Sequence, residues 1–450
     1  MSDQDRADAV YETLLSRAGE RWVQPRKERT ARLLELLGDP QSTYRVVHIT
    51  GTNGKTSTAR MIESLLRAHG LRTGLFTSPH LERFTERIMI DGEPIQDAAV
   101  ADAWEDIEPF VGLVDAELAA AGEEPLTFFE LLTALAFAAA ADAPVDVLVL
   151  EVGMGGAWDS TNTADGDVAV FAPIDIDHAD RLGDTIAKIA EVKAGIIKDG
   201  AAVVSARQTP EAEAVLRRVA AERGASIAFE GQDFALREQR LAVGGQQISL
   251  QGLAGEYAEE YLPLYGAHQG FNATLAIAAV ESLIGGATKP IAADIVADGL
   301  QGTTSPGRLQ LLGIAPTVIV DAAHNPHGAR ALAEALRDNF DFDEWGIVLG
   351  VLADKDAEGI VAALAPAATH IFATAPDSDR ANDADAIADL VEAAGQRVTV
   401  HPSLQDAADA AREWAASADR RAVVIAGSVV LAGQAIALAE SEDWKSGWRA

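Results

Sequence analysis

The sequence predicts an α/β protein, in which a P-loop-type domain with a mostly parallel sheet precedes a smaller Rossmann-like α/β domain. Three observations carry this. β-rich runs alternate with helix-length amphipathic stretches from about residue 44 to 174. A glycine-lysine turn, GTNGKT at 51–56, separates the first such run from the first such helix. A second alternating series starts after the Ser-Pro-Gly cluster in TTSPGR, 303–308. The boundaries drawn are 1–302 for the first domain, 303–307 for the linker and 308–450 for the second, because domains part in Pro/Gly-rich stretches.

Taken in order, YRVVHIT (44–50) is rich in β-branched residues and ends at Gly51. TSTARMIESLLRAHG (56–70) places Met61, Ile62, Leu65 and Leu66 at helical spacing, with Gly70 as a stop. RTGLFTS (72–78), VDVLVLEVG (145–153) and DVAVFAPI (167–174) read as strands, and TFFELLTALAFAAAA (127–141) as a helix. The stretch 228–265 is the least regular. Beyond the linker, TVIVDAAH, WGIVLGVL, HIFATA, RVTVH and RAVVIAGS read as strands, each followed by an Ala-rich helical pattern. No repeat with a period of 20 to 50 residues is visible.

Composition narrows the function. The 450 residues are 48% hydrophobic, enough to bury two cores. A formal charge of -33 argues against binding nucleic acid, so the expected partners are small molecules, with anionic ones received by a few local cations. No apolar run approaches the roughly 18 to 20 residues of a membrane span, and MSDQDRADAV lacks basic and apolar leader regions, so a soluble cytoplasmic protein is expected. With no cysteine, a metal must take O or N ligands, which favours a hard cation such as Mg²⁺. Nothing in the sequence demands more than a monomer.

The usual phosphate loop, G-x-x-x-x-G-K-[ST], has a glycine five residues before the second; here Ile49 stands five before Gly54. The physical parts are nonetheless present. A strand ends at Gly51, Gly51 and Gly54 let backbone approach a phosphate, Lys55 meets its charge and Thr56 opens a helix. The shorter spacing resembles the ATP-dependent Mur ligase superfamily. Open α/β sheets bind ligands at the carboxyl ends of their strands, where Ser78, Glu151 and His178 stand as candidate Mg²⁺ ligands.

A closer resemblance follows from GTNGKTST, FTSPHLERFTERI, LEVGMGG followed by Ala157 and WDSTN, DHADRLGDTIAKIAEVKAGIIK, HQGFNA, SPGRLQ and VDAAHNPHGA. In this order, with GVLADKD and AGSVVLAG extending the match to about residue 433, they resemble the folylpolyglutamate synthase/dihydrofolate synthase family. The resemblance implies an ATP-binding domain, a C-terminal glutamate-ligase domain, and MgATP-dependent addition of L-glutamate to dihydropteroate or to the γ-carboxylate of a reduced folate. K⁺ is left open as a further cation.

Carried over by position, Gly51, Thr52, Asn53, Gly54, Lys55 and Thr56 would hold the ATP phosphates, with Asn272, Arg308 and Asp321 as further nucleotide contacts. His324 joins Lys55 in handling the phosphoryl group, and Ser78, Glu151 and His178 become the metal ligands. Lys193 matches a lysine carbamylated in this family; a neutral amine that adds CO₂ becomes an extra anion for the metal. Thr127, Phe129 and Asp159 are the expected pterin contacts. ATP would lie between the domains, with closure excluding water from an acyl phosphate.

Four positions depart from the family pattern: Ala157 where arginine is common, Ser160 for alanine, Asp175 for a small uncharged residue and Val192 for an acid. They bear on substrate preference more than on reaction type. Three other readings compete. A cell-wall Mur ligase acting on another carboxylate needs a preceding UDP-sugar domain, for which a loop at residue 51 leaves no room. A P-loop hydrolase or switch leaves Lys193 and DAAHNPHG unexplained, and a catalytically dead binding protein leaves Lys55, Glu151, His178 and Asp321 intact without a use.

Overall fold

The structure, a computed structural model, describes residues 2–19, 26–177 and 179–445. It contains two compact units. The first comprises Met1–Arg240, Gln247–Leu262 and Gly270–Thr303; the second comprises Leu241–Gln246, Pro263–Gln269 and Thr304–Ala450.

In the first unit, strands β1 (Arg45–Thr50), β2 (Thr73–Phe76), β3 (Ile88–Ile90), β4 (Glu93–Pro94), β5 (Val147–Glu151), β6 (Val168–Phe171), β7 (Ala202–Ser205) and β8 (Ser226–Phe229) form one sheet. Their order is β4-β3-β2-β5-β1-β6-β7-β8. β2 through β8 in this order pair parallel, and β3 and β4 close one edge antiparallel. The central strands are apolar because both faces are covered: every residue of β5, including Glu151, is buried. Helix Lys55–Ala68 buries Met61, Ile62, Leu65 and Leu66, the predicted stripe, and Gly70 follows it with φ 87°. Helix Phe128–Asp142 begins at a capping box, in which Thr127 and Glu130 satisfy each other's backbone N–H groups.

Strands β9 (Ala235–Ala242), β10 (Gly245–Gln251) and β11 (Glu256–Leu262) form a separate three-stranded sheet in the order β11-β10-β9. This is the stretch the sequence left irregular. β9 reads ALREQRLA with no residue buried, so it offers no apolar alternation to recognise.

In the second unit, β12 (Gln310–Ile314), β13 (Thr317–Val320), β14 (Glu344–Leu349), β15 (His370–Ala373), β16 (Val398–Val400) and β17 (Arg421–Ala426) take the order β12-β13-β17-β14-β15-β16. All neighbours are parallel except β12 and β13. Ile319, Ile347, Leu349, Ile371 and Val424 form part of its core with the flanking helices. Among the described residues no helix is long and apolar enough to cross a membrane.

Candidate active site at the carboxyl edge of the first sheet

β1 lies between β5 and β6, and its carboxyl end runs directly into the Gly51–Thr56 turn. Ile49, where the usual loop has glycine, is still inside β1, buried and in register with Glu151. The turn therefore starts later and needs only two glycines. Gly51 has φ 150°, and a Cβ there would stand 2.7 Å from the Ala172 Cβ and 3.0 Å from Ala172 backbone atoms. Gly54 has φ 86°, and a Cβ there would lie 2.8 Å from Asn272 Oδ1. Thr52 anchors the turn: its N–H donates to Pro173 O at 2.8 Å, and its hydroxyl donates to Asp175 O at 2.9 Å and accepts from Asp175 N at 3.0 Å. Asn53 completes the turn. Gly54 caps helix Lys55–Ala68, whose positive amino end favours a nearby anion. Lys55 Nζ folds over the turn, donating to Gly51 O at 3.2 Å and Thr52 O at 3.1 Å.

Beside it, Glu151 ends β5 with 1% exposure, and its carboxylate accepts from Thr56 Oγ1 at 2.9 and 3.0 Å. Half-buried Ser78 follows β2, the neighbour of β5, at the same edge. His178 lies outside the described residues. Among those described, no three His, Cys, Asp or Glu side chains gather closely enough to hold a metal. A buried carboxylate holding the Thr56 hydroxyl beside a glycine-lysine turn is nevertheless a donor set that fits Mg²⁺, which keeps water and substrate phosphate among its ligands.

Lys193 sits in the last turn of helix Ile186–Ala194, 4% exposed, with Nζ donating to Gly51 O at 2.8 Å. Burial, and then the nearby Lys55 ammonium, bring its pKa down to about 7, against the opposing pull of Asp177 and Asp159. Two of the residues expected from sequence thus converge on one carbonyl oxygen of the turn.

Asp159 is 4% exposed. Its Oδ2 accepts from Met154 N at 2.9 Å, and its Oδ1 accepts from Thr161 N at 3.0 Å and Thr161 Oγ1 at 2.5 Å. Burial raises its pKa while these bonds oppose the rise. Half-buried Phe129 fills the space over Gly153, where a Cβ would meet its ring at 2.5 Å. Thr127 is held by its cap, its N–H donating to Glu130 Oε2 at 2.7 Å. Of the four departures, Ser160 is buried and accepts from Thr30 Oγ1 at 3.2 Å, and Val192 packs against the buried cluster that holds Ile189 and Leu182. Ala157 is exposed, its N–H donating to Val192 O at 2.9 Å. Asp175 is half-buried and accepts from Ile176 N at 2.7 Å.

In the second unit, Asp321 follows β13, buried, accepting from Leu309 N and Ala323 N at 2.9 Å each. Burial raises its pKa, with the Arg308 guanidinium foremost among the opposing influences. Half-buried His324 has Nδ1 3.0 Å from Ala322 O, so Nδ1 carries the proton in that contact. His268 lies in HQGFNA, the stretch that also holds Asn272. Burial, then Arg308 and His327, lower its pKa to about 4, so it is neutral.

The Mur ligase middle domain family matches residues 49–280, and the Mur ligase glutamate ligase domain family matches 307–429. A Mycobacterium tuberculosis protein named dihydrofolate synthase/folylpolyglutamate synthase is 47% identical over 446 residues, covering 92% of this chain and 91% of that protein. A Lacticaseibacillus casei folylpolyglutamate synthase is 38% identical, covering 77% of this chain and 79% of its own. The solved Mycobacterium tuberculosis folylpolyglutamate synthase complexed with ADP superposes with a TM-score of 0.93 at 45% identity, covering 97% of this chain and 99% of that one. The chain belongs to the dihydrofolate synthase/folylpolyglutamate synthase family of Mur ligases.

Proposed function

We infer that the protein is an ATP-dependent amide ligase that joins L-glutamate to dihydropteroate, to the γ-carboxylate of a folate, or to both, through an acyl phosphate. The observation that carries this reading is the Gly51–Thr56 turn, with Lys55 folded over it and the buried Glu151 carboxylate on Thr56. Gly51, Thr52, Asn53 and Gly54 cradle the ATP phosphates with their backbone, and Asn272, Arg308, Asp321 and His324 supply further nucleotide and phosphoryl contacts. Thr127, Phe129 and Asp159 receive the pterin.

An oxygen of the substrate carboxylate attacks the γ-phosphorus in line, the bond to the bridging oxygen breaks, and ADP departs. Lys55 and Arg308 offset the charge on the transferring group. The glutamate amine then attacks the acyl carbon and loses a proton, and phosphate leaves carrying the former carboxylate oxygen. Mg²⁺ held by Thr56, Ser78, Glu151 and His178 would supply a hard Lewis acid for the phosphoryl oxygens. Lys193, with a pKa of about 7, has neutral amine available near neutral pH. Adding CO₂ there forms an Nζ–C bond, releases a proton and leaves a carbamate anion beside the turn. The partners on this reading are small molecules, and the enzyme acts as a cytoplasmic monomer.

The test is ATP hydrolysis with and without glutamate plus dihydropteroate or tetrahydrofolate. ADP release should require the carboxylate substrate, and amide should form only with glutamate. ADP release at one rate whatever is added would overturn the reading in favour of a nucleotide hydrolase.

A further inference from the structure

His48 is the one charged-type side chain inside the otherwise apolar run Val46–Ile49, and it is completely buried. Gly166 makes room for it, since a Cβ there would come within 3.1 Å of His48 Cβ. Its Nε2 is 2.9 Å from Thr161 Oγ1, while Nδ1 is buried without a hydrogen-bond partner among the described residues. Burial, then Lys198 and Lys27, hold its pKa down to about 3, so the ring is neutral and carries one proton. The contacts say where that proton is. Thr161 has one hydroxyl hydrogen, and its Oγ1 lies 2.5 Å from Asp159 Oδ1; the backbone N–H groups of Met154, Thr161 and Gly153 that donate to Asp159 favour its ionised form, which can only accept. The hydroxyl therefore donates to Asp159, and His48 must donate to Thr161 from Nε2. The bare nitrogen is then Nδ1, a buried lone pair rather than a buried N–H.

A strand of this kind would be as well served by valine or leucine unless the imidazole does something. Leaving one ring nitrogen unsatisfied costs free energy that an apolar side chain would not. What His48 gains is direction. By donating into Thr161 Oγ1 it fixes the rotation of that hydroxyl, which with Thr161 N commits Asp159 Oδ1. Asp159 Oδ2, which takes Met154 N, is then the oxygen not engaged by Thr161, with Gly153 N a further donor to the same carboxylate.

We propose that His48, acting through Thr161, is a positioning residue that orients the Asp159 carboxylate toward the N–H groups of the pterin-bearing substrate. This rests on the reading of Asp159 as a substrate contact.

The test is steady-state kinetics of His48→Leu, His48→Gln, Thr161→Val, Thr161→Ser and Asp159→Asn, with folding checked by circular dichroism. His48→Leu and Thr161→Val should each raise KM for dihydropteroate or folate roughly tenfold, the size of one lost charge-assisted hydrogen bond, with KM for ATP within about twofold of wild type. His48→Gln and Thr161→Ser, which keep a donor, should recover most of the loss; a purely volumetric role would not produce this pattern. Added to Asp159→Asn, His48→Leu should have little further effect. If Asp159→Asn itself leaves KM unchanged, the substrate-contact reading falls and the inference with it. If Asp159→Asn raises KM but His48→Leu and Thr161→Val do not, only the inference falls. Should His48→Leu not fold, the Thr161 pair decides alone: equal KM values for Thr161→Ser and Thr161→Val overturn the proposal.

Discussion

Replacing Lys193 with methionine should stabilise the protein near neutral pH while abolishing ligation. In CO₂-free buffer the buried amine has its pKa brought from 10.5 to about 7. Below about 7 both folded and unfolded chains carry the ammonium, and the full cost of burying it is present. Between 7 and 10.5 the unfolded chain binds a proton that the folded chain does not, so stability rises with pH; above 10.5 the rise ends. At about 1.4 kcal/mol per decade of proton affinity, the cost at pH 7 is on the order of 4 kcal/mol. The lost hydrogen bond to Gly51 O returns about 1 kcal/mol of it. Lys193→Met should then be more stable by a few kcal/mol at pH 7, with the gap closing by pH 10, as read by urea unfolding across the pH range. Bicarbonate should stabilise the wild type and leave the variant unmoved. Parallel pH curves for the two proteins would refute the buried neutral amine, and with it the route to a carbamate.

Three other perturbations test the turn and its neighbours. Lys55→Ala should fold normally yet lose amide formation by roughly 10²-fold or more, because the charge aimed at the transferring phosphoryl group is gone; near-normal turnover would end the phosphate-loop assignment. Glu151→Gln should raise the Mg²⁺ concentration for half-maximal activity by about tenfold or more, and an unchanged Mg²⁺ titration would mean the metal is placed wrongly. Gly51→Ala forces a Cβ to 3.0 Å from Ala172 backbone at φ 150°, so it should cost roughly 1–3 kcal/mol of stability and weaken ATP binding. Unaltered calorimetric binding of ATP would show that the turn tolerates what its geometry forbids.

The central strands were legible because apolar runs such as VLVLE have no other comfortable place than a sheet covered on both faces. β7 (AVVS) and β3 (IMI) are not among the strands read from sequence, and length alone does not explain it, since β6 and β16 have the same lengths and are among them. β12, QLLGI, offers little apolar pattern to read, since only Leu312 and Gly313 of it are buried. At the site, the turn could be read through residue types, since glycine and lysine at that spacing have few other uses. Lys193 meeting Gly51 O across 142 residues could not, because helix Ile186–Ala194 gives no local sign of what its last turn faces. Asp159 read as a polar contact for ligand, but its bonds to Met154 and Thr161 depend on the loop closing on itself. His48 lies inside the strand run YRVVHIT, where periodicity cannot tell a buried imidazole with a task from one without.

The most direct test follows one oxygen atom. Dihydropteroate or folate labelled with ¹⁸O in the reacting carboxylate, turned over with ATP and L-glutamate, should deliver one ¹⁸O into inorganic phosphate for each amide made, as mass spectrometry of the phosphate would show. Transfer through an acyl phosphate requires that label. Amide formed with unlabelled phosphate would contradict the mechanism, and phosphate released without amide would contradict ligation itself.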